Sequence, residues 1–240
     1  MTRAVVVDLR AEPCILRPWQ WSRWARRDPL QLRGVVLHQW ASPVGTTPQN
    51  RARYGEEVAL ARRGMATTYA INAGVTRGQV PVVGLVHPVE RYAFSSDAAN
   101  LAWISLGVMG LFAFDEGAVR TARHAVVTPA LQAAVDAALE EAVAMLREAH
   151  GADAGPWEVI THRQAINGRG DHAQCPGAEV VAMACASDAV RRGELVMSPD
   201  LVLDAAWGKP WPASWRRTLG AQADCDAAAV EVDDLVTDGQ

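Results

Sequence analysis

Six short apolar runs punctuate this sequence, at residues 4–9, 34–38, 67–73, 80–86, 103–109 and 158–161, rich as a set in Val and Ile and bounded by Gly, Pro or charge. Runs of that length and composition predict strands. Between the fifth and sixth runs, Thr128 and Pro129 open a stretch in which Leu131, Val135, Ala138, Leu139, Ala142 and Leu146 recur at helical spacing, and Gly151 is placed to end it. This predicts one long amphipathic helix with a threonine N-cap and proline in its first position. A second helix is expected within 48–63, where Glu56, Glu57, Arg62 and Arg63 form a solvated side, and a third over 177–192. Strands and helices alternate, so the expected fold class is α/β, a central mixed sheet flanked by helices.

At 240 residues, half apolar and about a fifth charged, the chain has the composition of a globular protein. We expect a single domain over 32–193, an N-terminal extension over 1–31 packed on it, and a C-terminal extension over 194–240 that ends in an acidic tail. A net charge of -4 and a pI near 5.9 give no general attraction to nucleic acid or to an anionic membrane. No apolar run is long enough to cross a membrane, and the start MTRAVVVDLRAEP carries a charge within its short apolar run, so no transmembrane segment or signal peptide is expected. Synthesis in the cytoplasm follows. A substrate outside it would be met after lysis, through signal-less export, or as internalised fragments. The cysteines Cys14, Cys175, Cys185 and Cys225 have no repeated spacing, which argues against a disulfide framework and leaves a thiolate available as a ligand.

Two histidines stand in matching contexts: His38 closes GVVLH and His162 closes EVITH. A sheet presents side chains at its strand ends to a cleft. With Cys175 one loop further on, they form a nitrogen, nitrogen, thiolate set suited to tetrahedral zinc with one open position, as hydrolysis requires. A strand-end histidine is also an ordinary structural residue, and spacing does not choose between the readings.

The segments LRGVVLHQWASP, TTYAINAG, NLAWISLGVMG, VITHRQAI and CPGAEVV, between Leu32 and Val181, resemble in order and approximate spacing the type-2 N-acetylmuramoyl-L-alanine amidases. That family includes amidase-type phage lysozymes and the peptidoglycan recognition proteins. The resemblance implies a Zn2+ ion held by His38, His162 and Cys175. It also implies hydrolysis of the amide between N-acetylmuramic acid and L-alanine, and so peptidoglycan or muropeptide as partner. Tyr69 matches a tyrosine that reaches the attacking water or the oxyanion, although a core aromatic in a strand is the plain alternative. Asn100 matches a cleft asparagine for substrate binding, or is a turn residue.

The chain departs from the family pattern beside the last ligand. Ala173 stands where many members carry lysine, and Met109 where some carry glutamate. His172 is a candidate proton donor or oxyanion partner, since imidazole titrates near neutrality, or else a solvent-facing loop residue. Arg169, Asp171 and Gln174 are further polar groups there. Asp171 is an alternative third ligand, with Cys175 preferred because it precedes Pro-Gly. Trp40 is a candidate substrate contact by stacking, or a core-edge indole. His87, His124 and His150 read as surface or loop residues. The stretch 17–27 (RPWQWSRWARR) reads as a helix packed on the domain by its tryptophans, or as a contact to anionic wall polymer or glycan, and 208–217 (GKPWPASWRR) as a Pro-stiffened strap over the domain, or a small wall-binding element. Two other functions share these residues: a non-catalytic muropeptide-binding module, and a zinc amidohydrolase for a different amide.

Overall fold

In the computed structural model, which describes residues 3–11, 26–40, 67–77, 80–91, 101–110, 112, 126–165 and 175–198, all six apolar runs are strands of one sheet. They are β1 (Val5–Asp8), β2 (Gly34–Trp40), β3 (Tyr69–Arg77), β4 (Val80–Leu85), β5 (Trp103–Met109) and β6 (Trp157–Thr161), and a seventh, β7 (Leu195–Met197), joins them. The order across the sheet is β1-β4-β3-β5-β2-β6-β7. Among the described strands only the β3–β4 pair is antiparallel; β3, β5, β2, β6 and β7 pair in parallel, as β1 does with β4. The mixed sheet and its helices bear out the expected α/β class.

The sheet is wider than the expected domain. β1 comes from the stretch read as an N-terminal extension and β7 from the one read as a C-terminal extension, yet they are its two edge strands. Arg27 ties a further part of the N-terminal stretch down. Its guanidinium is buried and donates 2.6 Å bonds to the carbonyls of Val89 and Trp103. Burial pushes its pKa down to about 10 against the opposing pull of Glu90. This arginine of the Trp/Arg segment is therefore a structural strut. The other residues of that segment up to Ala25, the expected helix in 48–63, and everything from Pro199 onward lie outside the described residues.

The long helix α1 (Pro129–His150) forms as its pattern predicts, with the Thr128 hydroxyl accepting from the Leu131 N–H and Gly151 at its end. Every residue of the predicted stripe is buried, and Ala134 and Val143 join it. That stripe packs on one face of the sheet, against Val35 and Leu37 of β2, Ile104, Leu106 and Val108 of β5, and Tyr69 and Ile71 of β3. The helix expected over 177–192 is broken in two, α3 (Ala178–Cys185) and α4 (Asp188–Arg191). At the break the Ser187 hydroxyl donates to the Ala184 carbonyl and accepts from the Val190 N–H, capping the second piece. Among the described residues, no helix is long and apolar enough to cross a membrane.

Asp136, on the half-buried flank of α1, gives the fold a pH dependence. Burial chiefly raises its pKa to about 6, helped by Asp188 and Glu140 and opposed by the Gln132 amide and Arg191. An acid with a raised folded value holds its proton more tightly folded than unfolded, so stability falls as pH rises from the ordinary carboxylate range through about 6. Asp136→Asn should therefore melt above the parent at about pH 8, by up to about 1 kcal/mol after solvent screening, with the gap closing near pH 4. Parallel melting curves at both pH values would sink this account.

Candidate metal centre

The two histidines meet because of strand register. Parallel pairing of β2 with β6 ends with Leu37 opposite Thr161, and the next residue on each chain is a histidine. Neighbouring strands lie about 4.8 Å apart, so equal register alone delivers two imidazoles to one place. Their ring centroids are 4.2 Å apart at an interplanar angle of 46°. Register is set partly at the other end of the pair, where a Cβ on Gly34 would overlap the Glu158 carbonyl oxygen. Only glycine admits β6 that closely.

His162 is also the first residue of the short helix α2 (His162–Ala165). Thr161 and Gln164 bracket it reciprocally. The Gln164 N–H donates to the Thr161 hydroxyl at 3.2 Å, and the Thr161 N–H donates to the Gln164 side-chain oxygen at 2.7 Å. This is a capping box, and it fixes how the chain turns at the ligand. The sequence spells it as T-H-R-Q, a signal that reading His162 only as a strand end passes over.

Cys175 is held from three sides. The Gln39 N–H donates to its sulfur at 3.3 Å, and the Arg163 N–H donates to its carbonyl at 3.2 Å. Two residues on, Gly177 has a φ of +96°, and a Cβ there would stand 2.6 Å from the Phe112 carbonyl oxygen. The Cys-Pro-Gly sequence thus ends in a residue that both the dihedral and the close approach require to be glycine.

The result is a buried cluster: one ligand atom each from His38, His162 and Cys175, all within 4.8 Å of one another. Their exposures are 4%, 6% and 1%. Donor atoms this close together could be drawn onto one zinc ion by small side-chain shifts. Two imidazole nitrogens and one sulfur are borderline-soft donors that suit zinc and leave its fourth position open. The residues present fit the ion.

Tyr69 lies apart from them. Tyr69 pairs with Leu106, which pairs with Leu37. Side chains alternate along a strand, so Tyr69 shares the Leu37 face beneath α1, while His38 points to the other face. The phenol is fully buried and its hydroxyl donates to Met145 Sδ at 3.2 Å. Burial and then the Glu141 carboxylate push its pKa up, Arg10 opposing, so the group stays neutral.

Trp40 does lie on the His38 face, two residues further along β2. Its indole crosses β5 at Gly107, the residue paired with His38, where any Cβ would overlap Trp40 Nε1 and stand 2.8 Å from Thr67 Cγ2. Met109, in place of a glutamate, is buried beside Asn72, whose amide donates to its sulfur at 3.6 Å. Asn72 is fully buried and was not singled out by its sequence context. His87, read as a surface or loop residue, is fully buried as well. Asn100, Arg169, Asp171, His172, Ala173 and Gln174 lie outside the described residues, as do His124, Cys14 and Cys225.

No family model matches the chain, and no curated protein sequence matches it. Solved structures similar to it include the Ph2119 endolysin from Thermus scotoductus MAT2119 bacteriophage Ph2119, at 16% identity and a TM-score of 0.39, covering 72% of this chain and 92% of that one. Another is the endolysine N-acetylmuramoyl-L-alanine amidase LysCS from Clostridium intestinale URNW, at 14% identity and a TM-score of 0.39, covering 73% of this chain and 88% of that one. A third is the N-acetylmuramoyl-L-alanine amidase LysC from Clostridium intestinale URNW, at 14% identity and the same TM-score, covering 72% and 89%. Likeness at that level carries no weight for activity, which has to be read from the cluster itself.

Proposed function

We propose that the chain is a zinc-dependent N-acetylmuramoyl-L-alanine amidase that hydrolyses the amide between N-acetylmuramic acid and L-alanine in peptidoglycan. One observation carries the reading: His38, His162 and Cys175, the residues picked out by the amidase-like motifs, converge from separate parts of the chain into a single buried cluster. These three residues would hold a zinc ion, which would provide Lewis-acid chemistry at the scissile carbonyl and a water acidified toward neutral pH. The protein's own residues do the rest. Two neutral imidazoles and one thiolate leave about one net positive charge, and the Gln39 N–H stabilises negative charge on sulfur. His172 is the proton donor to the leaving amine in this reading, and Trp40 and Asn100 contact the substrate.

The position of Tyr69 favours a second reading, a module that binds muropeptide without cutting it, because the phenol expected at the oxyanion faces away. One assay separates the two. Zinc-loaded and chelator-stripped protein are incubated with purified peptidoglycan and the products identified by mass spectrometry. Free stem peptides beginning with L-alanine, from the zinc-loaded sample alone, are expected. Retention of intact muropeptide without cleavage would establish the binding module, and cleavage of other amides only would redirect the substrate. In the same assay Tyr69→Phe should keep parental turnover; loss of most of it would return the phenol to the mechanism.

A further inference from the structure

We propose that Gln39 is the positioning residue of the sulfur arm, setting where Cys175 presents its sulfur to a metal. The proposal rests on the reading of the cluster as a metal site. His38 and His162 inherit their places from two registered strands, but Cys175 arrives from a loop, and loops hold geometry only when something braces them. Gln39 supplies the brace through both of its ends. Its backbone N–H donates to Cys175 Sγ at 3.3 Å, whereas the sulfur's contact to its carbonyl, at 4.0 Å, is too long to count for much. The shorter contact addresses the sulfur as an acceptor.

The side chain of Gln39 points away from His38 along the alternation of β2, and its amide oxygen accepts the Phe112 N–H at 2.8 Å. The carbonyl of that same Phe112 stands against Gly177, where a Cβ would meet it at 2.6 Å. Gln39, Phe112 and Gly177 thus close a ring around the Cys175 segment, and the Arg163 N–H on the Cys175 carbonyl pins its far side. An ordinary turn that merely satisfies the Phe112 N–H would need only the side-chain bond. Here the residue that makes it also touches the ligand atom, and the ring closes two residues beyond that ligand.

The test is cobalt substitution of the full chain, reading the thiolate-to-cobalt charge-transfer absorption and the metal affinity by chelator competition. Gln39→Met keeps the length and removes the acceptor, and should weaken affinity roughly 10–100-fold and diminish the band. Gln39→Glu retains an acceptor and should retain both. A purely structural bond would lower the melting temperature and leave the spectrum of the folded protein unchanged. Parental band and affinity in folded Gln39→Met, or equal losses in both variants, would overturn the proposal. Should Gln39→Met not fold, Gly177→Ala strains the same ring from its other side, and a parental band there also overturns it. Failure of the underlying metal-site reading has a different signature: identical cobalt spectra for the parent and Cys175→Ala.

Discussion

Cys175→Ala should yield a folded protein that neither retains zinc nor releases stem peptides. The side chain is small and 1% exposed, so its loss removes few packing contacts, and the sheet and α1 do not depend on it. What it removes is the one anionic donor. Loss of outer partners to a metal ligand typically costs roughly 10–100-fold in affinity, and loss of a direct ligand should exceed that. Chelator competition gives the affinity, and circular dichroism the fold. Cys175→Asp, which restores an anionic donor of a type zinc accepts, should recover part of the binding. Stoichiometric, tight zinc in Cys175→Ala would remove the sulfur from the site and leave Asp171 as the alternative.

Leu139→Ala should do the converse, destabilising the fold while sparing the cluster. Leu139 is fully buried at the centre of the α1 stripe, against the sheet face opposite His38. Large-to-small changes at such positions cost about 2–5 kcal/mol through lost transfer energy and the cavity left behind. For a chain of this size each kcal/mol lowers Tm by roughly 2–4 °C. Zinc affinity measured well below the transition should match the parent's. A fall of less than about 1 kcal/mol would mean that the site collapses around the gap or that α1 carries less of the core than its burial indicates.

Most of the framework was legible because two periods announce themselves. Six strands stand at the apolar runs, and α1 begins and ends at the residues its caps specify. β7 was missed because three residues, Leu195–Met197, are too few to show alternation; pairing with β6 makes them a strand. The break between α3 and α4 was present as Ser187 followed by Asp188, a cap signature inside the apolar stretch 180–190. Of the proposed ligands, all three could be picked from local context. Their convergence could not, because it depends on β2 lying beside β6, a pairing that no local pattern encodes. The place of Tyr69 is hidden for the same reason: that it shares a face with Ile71 is visible in the sequence, but which face of the sheet that is depends on its register with β5.

The pairing of β2 with β6 also determines which changes the cluster can survive over evolutionary time. Inserting one residue into either strand ahead of its histidine would rotate that imidazole to the α1 face and dismantle the site in one step. Lengthening the connections other than the one that carries Cys175 leaves the pairing, and with it the places of both imidazoles, untouched. A sheet-encoded cluster of this kind can keep its chemistry while the loops around it drift, so that substrate preference can diverge among descendants without any change at His38 or His162.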